Sequence, residues 1–150
     1  MNCLKALVLI LTFVSSAVFA QERARFSDQS LQDILTYSEF HQSAGLIYTW
    51  SPRMSLSTRG VSEIVRLARD LQLDITVLVD PNLPDEESLS ATENLWLGHS
   101  MKAESPALVR LGISLHYPNL IIYKNGKIDS IRPGYDEPAR VRDYILRRLQ

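Results

Sequence analysis

Asn125-Gly126 lies between two apolar runs and limits the fold more than any other feature of the chain. Both central residues of a two-residue type I′ turn need positive φ, which asparagine and glycine tolerate, so the dipeptide predicts a tight antiparallel hairpin. Its first arm, Leu120-Ile121-Ile122-Tyr123, is continuously apolar and reads as a buried strand. The second, Lys127-Ile128-Asp129-Ser130-Ile131, alternates polar with apolar and reads as half-buried. Pro118 precedes the first arm; it has no backbone N–H, which suits the first residue of a strand or an edge. The Tyr117-Pro118 bond is therefore also where a cis peptide is expected.

Residues 1–20 carry the pattern of an export signal. Lys5 supplies the positive start, Ala6 to Phe13 the apolar core, and Ala17-Val18-Phe19-Ala20 a small-x-small cleavage site before Gln21. The apolar run is too short to be expected to span a bilayer. The mature chain is then a single domain, residues 21–150, periplasmic or secreted. The lone cysteine, Cys3, leaves with the signal. An oxidising compartment is thus entered without any thiol, and 130 residues suffice for a core that needs no disulfide. Losing Lys5 leaves 15 basic against 17 acidic residues, a balance that points neither to nucleic acid nor to an anionic membrane as partner.

Along the chain, Glu22 to Asp28 reads as a loose lead-in. Leu31, Ile34 and Leu35 then recur at helical spacing, with Ser27, Asp28 and Ser30 as cap candidates. Ala44 to Trp50 reads as a central strand. Val61, Ile64, Val65, Ala68 and Leu71 share one face of a helix over roughly 57–71. Ile75 to Val79 is the next strand, stopped by Asp80-Pro81, and the strand–helix–strand order predicts a right-handed parallel unit. Residues 82–104 form an insert: its serines and acidic side chains suggest surface, while Leu89, Leu95, Trp96 and Leu97 suggest a docked segment with some helix. Ser105-Pro106 opens a short helix closed by Gly112. After the hairpin, Asp136 is placed to cap a last helix burying Val141, Tyr144, Ile145 and Leu149.

From Ala44 onward, this order and the Tyr117-Pro118 hairpin with its Lys124-Asn125-Gly126-Lys127 end resemble the thioredoxin superfamily. The resemblance implies an α/β fold with a mixed sheet of about four strands and helices on both faces. It also implies a site. In thioredoxins a strand ends in tryptophan and Cys-x-x-Cys opens the next helix, whose N-terminus stabilises a thiolate. Laying Trp50 on that tryptophan puts Ser51 and Met54 at the two cysteine positions. A chain without thiols has no attacking group for thiol–disulfide exchange, so no redox activity and no cofactor is expected.

What remains is a candidate binding face: Trp50, Ser51, Met54, His116, Tyr117, Pro118 and Asn119. Aromatic rings anchor interfaces, with Trp96 as a further contributor from the insert. The backbone beside Pro118, with Asn119, offers edge hydrogen bonds to an extended peptide, as the family's cis-proline loop does for polypeptides. The expected partner is therefore a protein or extended peptide. Each residue also has a plainer use: Ser51 as a helix cap, Trp50 and Met54 as core, His116 as surface. A rival reading is a small-ligand or Cu(I) site built from Ser51, Met54 and His116, with His99 and Met101 folding over, because thioether and imidazole suit Cu(I). A hydrolase made from Ser51 and His116 lacks both an orienting acid and a nucleophile elbow.

Overall fold

A computed structural model of the chain describes residues 25–95, 100–113 and 116–150. The proposed signal and its cleavage site, Trp96, Leu97 and His99 lie outside these residues. The elements run β1 (Arg25–Phe26), α1 (Asp28–His41), β2 (Ala44–Trp50), α2 (Ser55–Asp70), β3 (Asp74–Val79) and α3 (Asp85–Asn94), followed by β4 (Ser100–Ala103), α4 (Pro106–Arg110), β5 (Asn119–Lys124), β6 (Lys127–Pro133) and α5 (Pro138–Leu149). Among the described residues no helix is long and apolar enough to cross a membrane.

The strands form one mixed sheet of six, in the order β1-β4-β3-β2-β5-β6, rather than about four. The two extra strands are short. Arg25-Phe26, read from sequence as a loose lead-in, pairs in parallel with Lys102-Ala103. β4, inside the insert, pairs in parallel with Val77–Val79 of β3. The expected parallel unit is present as β2-α2-β3, and β5 runs antiparallel to β2 in the centre of the sheet. Asn125 and Gly126 have φ of 50° and 81°, the turn that joins β5 to β6.

Alternation along β2 divides the core. Leu46, Tyr48 and Trp50 pack with Val61, Ile64 and Leu67 of α2 and Ile145 of α5. On the opposite face Ile47, Ile121 and Tyr123 pack with Leu31 of α1 and Leu108 of α4. Burial of these side chains, at about 1.5–3 kcal/mol each, is the main force holding helices on both faces.

Local chemistry sets the helix ends. Ser27 caps α1, with Ser27 and Ser30 forming a reciprocal capping box. Ser105 caps α4 ahead of Pro106, and Gly112 follows that helix at φ 80°. Asp136 does not cap α5; the cap position is Glu137, and Asp136 instead accepts from the Glu137 amide and pairs with Arg132. The insert is more regular than its sequence suggests, because Lys102 pins it. Lys102 is buried, with Nζ donating to the Leu83 carbonyl at 2.7 Å and pairing with Asp85 at 2.5 Å.

Candidate functional site

The region marked by the tryptophan and the proline lies at the C-terminal ends of β2 and β3, where open α/β sheets place their ligand crevices. Three segments meet there: the β2–α2 turn, the residue after β3, and the loop before β5. Their junction is Asp80, which the sequence reading treated only as a strand stop. Ser51 Oγ donates to one carboxylate oxygen of Asp80 at 3.2 Å, and the Tyr117 hydroxyl reaches the other at 3.5 Å. Asn82 adds two donors to that second oxygen, its backbone amide at 2.9 Å and its side-chain amide at 3.1 Å. The Asp80 amide extends the β2–β3 ladder by donating to the Trp50 carbonyl at 2.8 Å.

Burial sorts the seven candidates. Trp50 is fully buried, and its indole N–H donates to Ser100 Oγ at 3.3 Å beneath the sheet end. Ser51 is 2% exposed. It does not cap α2: the cap position is Met54, with no side-chain bond, and Ser57 Oγ turns back to accept from the Ser51 amide at 2.9 Å. The Ser51 hydroxyl is thus committed to Asp80 rather than open to a ligand. Asn119 was expected to present edge hydrogen bonds but is 2% exposed. Its amide group donates inward to Thr49 Oγ1, the Ile113 carbonyl and the His116 carbonyl, locking the proline loop onto β2. Pro118 is buried, and the Tyr117–Pro118 bond is cis.

Met54, His116 and part of Tyr117 remain at the surface. Met54 is 45% exposed, so the expectation that it plugs the core does not hold. Leu56, in the first turn of α2, is also 55% exposed, though the sequence reading passed it over. His116 is exposed and Tyr117 half-buried. Burial, then the neighbouring Asp80 charge, hold the Tyr117 phenol above its ordinary pKa, so it stays a neutral donor. Among the described residues, no hydrogen bond engages the Tyr117 main chain. The described residues also contain no group of three His, Cys, Asp or Glu able to hold a metal ion.

The insert borders this face. Arg53, in the β2–α2 turn, makes a two-pronged ion pair with Glu87 of α3 at 2.9 and 2.7 Å. The hydrogen bonds of that pair raise the Arg53 pKa and lower that of Glu87. Both side chains are well exposed, so the pair orients α3 more than it stabilises the fold.

No family model matches the sequence, and no curated protein matches it. Solved structures do. A thioredoxin-family thiol:disulfide interchange protein from Chlorobium tepidum TLS superposes with a TM-score of 0.60 at 11% identity, over 81% of this chain and 84% of that one. The exposed lipoprotein thioredoxin of Streptococcus pneumoniae TIGR4 gives 0.57 at 16% identity, over 75% and 89%. A secreted Mycobacterium tuberculosis disulfide oxidoreductase gives 0.56 at 7% identity, over 71% and 82%. At these identities the likeness is one of backbone architecture. The chain is a thioredoxin-like protein by fold.

Proposed function

We propose that this chain is an exported, redox-inactive thioredoxin-like protein that binds an extended segment of a protein partner at the end of the sheet where its relatives in fold carry thiols. The observation that carries the reading is Asp80, whose carboxylate ties the β2–α2 turn to the cis-proline loop through Ser51 and Tyr117. That tie keeps the two loops in the arrangement a polypeptide ligand needs, while Cys3 is the chain's single cysteine and neither position 51 nor 54 has a thiol. Trp50, Ser51, Pro118 and Asn119 form the buried support, and recognition falls to Met54, Leu56, His116 and the Tyr117 main chain. Methionine suits such a surface, being flexible and polarisable enough to pack against varied side chains. The names of the similar structures favour an extracytoplasmic setting, in keeping with residues 1–20.

A photoreactive amino acid placed at His116, in protein expressed with its own leader in its native cells, tests the reading. A discrete adduct is expected from position 116 and not from Arg110 on α4. Absence of an adduct, or equal adducts from both positions, counts against it. The intact mass of the recovered protein should begin at Gln21, and an insulin-reduction assay with dithiothreitol should show no turnover above background.

A further inference from the structure

At the other end of the sheet, three residues stand in one row across three strands: Tyr123 on β5, Gly45 on β2 and Asp74 on β3. This end lies about 20 Å from Asp80, at roughly 3.3 Å per strand residue. Gly45 is what lets the row form. A Cβ there would stand 2.1 Å from the Tyr123 hydroxyl oxygen and 3.0 Å from the Asp74 carbonyl. With no side chain in the way, the phenol lies across β2 toward β3. Tyr123 is 5% exposed, yet among the described residues its hydroxyl has no hydrogen-bond partner.

The hydroxyl borders an open groove of about 430 Å³ between α1 and the start of β3, lined also by Asp33, Ile34, Tyr37, Asp74 and Thr76. That size falls within the range of about 300–1,000 Å³ usual for small-molecule sites. Its polar content is one-sided. Asp33 accepts from Gln29 at 2.7 Å, and among the described residues neither Asp33 nor Asp74 has a cation within ion-pair distance. Burial first, then Asp74 and Tyr37, push the Tyr123 pKa up to about 12, so the phenol stays neutral.

We propose that this groove binds an organic cation, an ammonium group on an aliphatic chain, held by Asp33 and Asp74 and walled by Tyr37 and Tyr123. The carboxylates supply the counter-charge that an anion could not meet. The Tyr123 oxygen accepts an N–H bond that nothing else in the described residues provides, and aromatic faces attract alkylammonium groups. Ile34 suits the aliphatic stem. The same chemistry occurs in a free diamine and in a lysine side chain of another protein.

Calorimetry on the mature protein at low ionic strength separates the outcomes, using putrescine and Nα-acetyl-lysine methylamide as probes. Saturable binding is expected for one or both; tighter putrescine identifies a free diamine, and a tighter lysine derivative identifies a protein side chain. Asp33→Asn and Asp74→Asn should each weaken binding about fivefold or more, and Tyr123→Phe about threefold to fivefold, as for loss of single hydrogen bonds. All three substitutions are near-isosteric, so the fold should survive them. The proposal is overturned if wild type shows no saturable binding below about 10 mM, an affinity weaker than roughly 3 kcal/mol. It is equally overturned if an Asp33→Asn/Asp74→Asn double variant binds as wild type does, or if magnesium chloride at matched ionic strength displaces the probe as well as unlabelled probe does.

Discussion

Asp80→Ala is the most direct perturbation of the architecture at the proposed partner face. It strands the Ser51 hydroxyl, in a residue only 2% exposed, without its acceptor. A buried hydroxyl left unpaired costs about 1–3 kcal/mol. Loss of the bond from the Asn82 amide, 2.9 Å in the native turn, adds about 1 kcal/mol, moderated because Asp80 is part-exposed and water can replace it. The Tyr117 contact, at 3.5 Å, is at the limit for a hydrogen bond and adds little. The total is about 2–4 kcal/mol, or a fall in Tm of about 6–16 °C for a domain of this size. Urea unfolding of wild type, Asp80→Ala, Ser51→Ala and the double variant measures it. Because Ser51→Ala removes the group that Asp80→Ala strands, the double variant should be more stable than additivity predicts by about 1 kcal/mol. An Asp80→Ala cost below about 0.5 kcal/mol, or strict additivity, would refute the claim that this carboxylate joins the loops.

Gly60→Ala places a Cβ 2.2 Å from the Tyr48 hydroxyl but 3.4 Å from that ring's ζ-carbon. The substitution should destabilise by about 1–3 kcal/mol in wild type, and by less in a Tyr48→Phe background, where the hydroxyl clash is gone and the 3.2 Å approach to Tyr135 Cδ2 remains. Asp28 bridges α1 to α4, accepting from Ser105 Oγ at 2.5 Å and the Ala107 amide at 2.8 Å. The Ser105 bond first, then the Ala107 amide, hold its pKa below the ordinary value. A depressed folded value means that this stabilisation is present above pH about 4 and lost as pH falls through the folded pKa. The urea-midpoint gap between wild type and Asp28→Asn should therefore narrow from pH 7 to pH 3. Met54→Asp, at a surface position, should leave Tm within about 2 °C of wild type while removing the adduct formed from position 116. Ser51→Ala should lower Tm and retain the adduct.

Elements with a strong signal were legible from sequence: α2 and α5 by helical spacing of apolar residues, β2, β3 and β5 as apolar runs of strand length, and the Asn125-Gly126 turn by its tolerance of positive φ. β1 and β4 were not, for a physical reason. Arg25-Phe26 and Ser100 to Ala103 are too short for a period to register; β4 is a strand because it pairs with the parallel edge of β3, and β1 because it pairs in turn with β4. Lys102 of β4 is a buried charge, and the Leu83 carbonyl and Asp85 make its burial tolerable. In the candidate site, the tryptophan and the proline marked two segments that do meet at one end of the sheet. The depth of each side chain did not show, because burial of Ser51 and Asn119 depends on partners 29 residues and up to 70 residues away in sequence. Asp80 was visible only as half of Asp80-Pro81. The available signal was its position immediately after a parallel strand, where a carboxylate faces the crevice.

A serine, not a thiol, stands at position 51, and its bonds set what that position does for the turn. A reactive cysteine at a helix start has to remain open, with the helix field stabilising its anion. Ser51 is closed instead: its hydroxyl donates to Asp80, its amide donates to Ser57, and its carbonyl accepts from Met54 at 3.1 Å. The first bond ties the turn to the residue after β3, the second ties it to α2 and the third acts within it, so Ser51 fastens the turn. Asn119 does the same on the proline loop, holding the His116 and Ile113 carbonyls from within. Two loops fastened from below present their upper side chains with little conformational freedom. Binding there would lose less entropy on ordering than on a mobile surface. The exposed Met54 and Leu56 fit that use, since a fold stabilised by Trp50 and Ser51 gains nothing from leaving large apolar side chains in water.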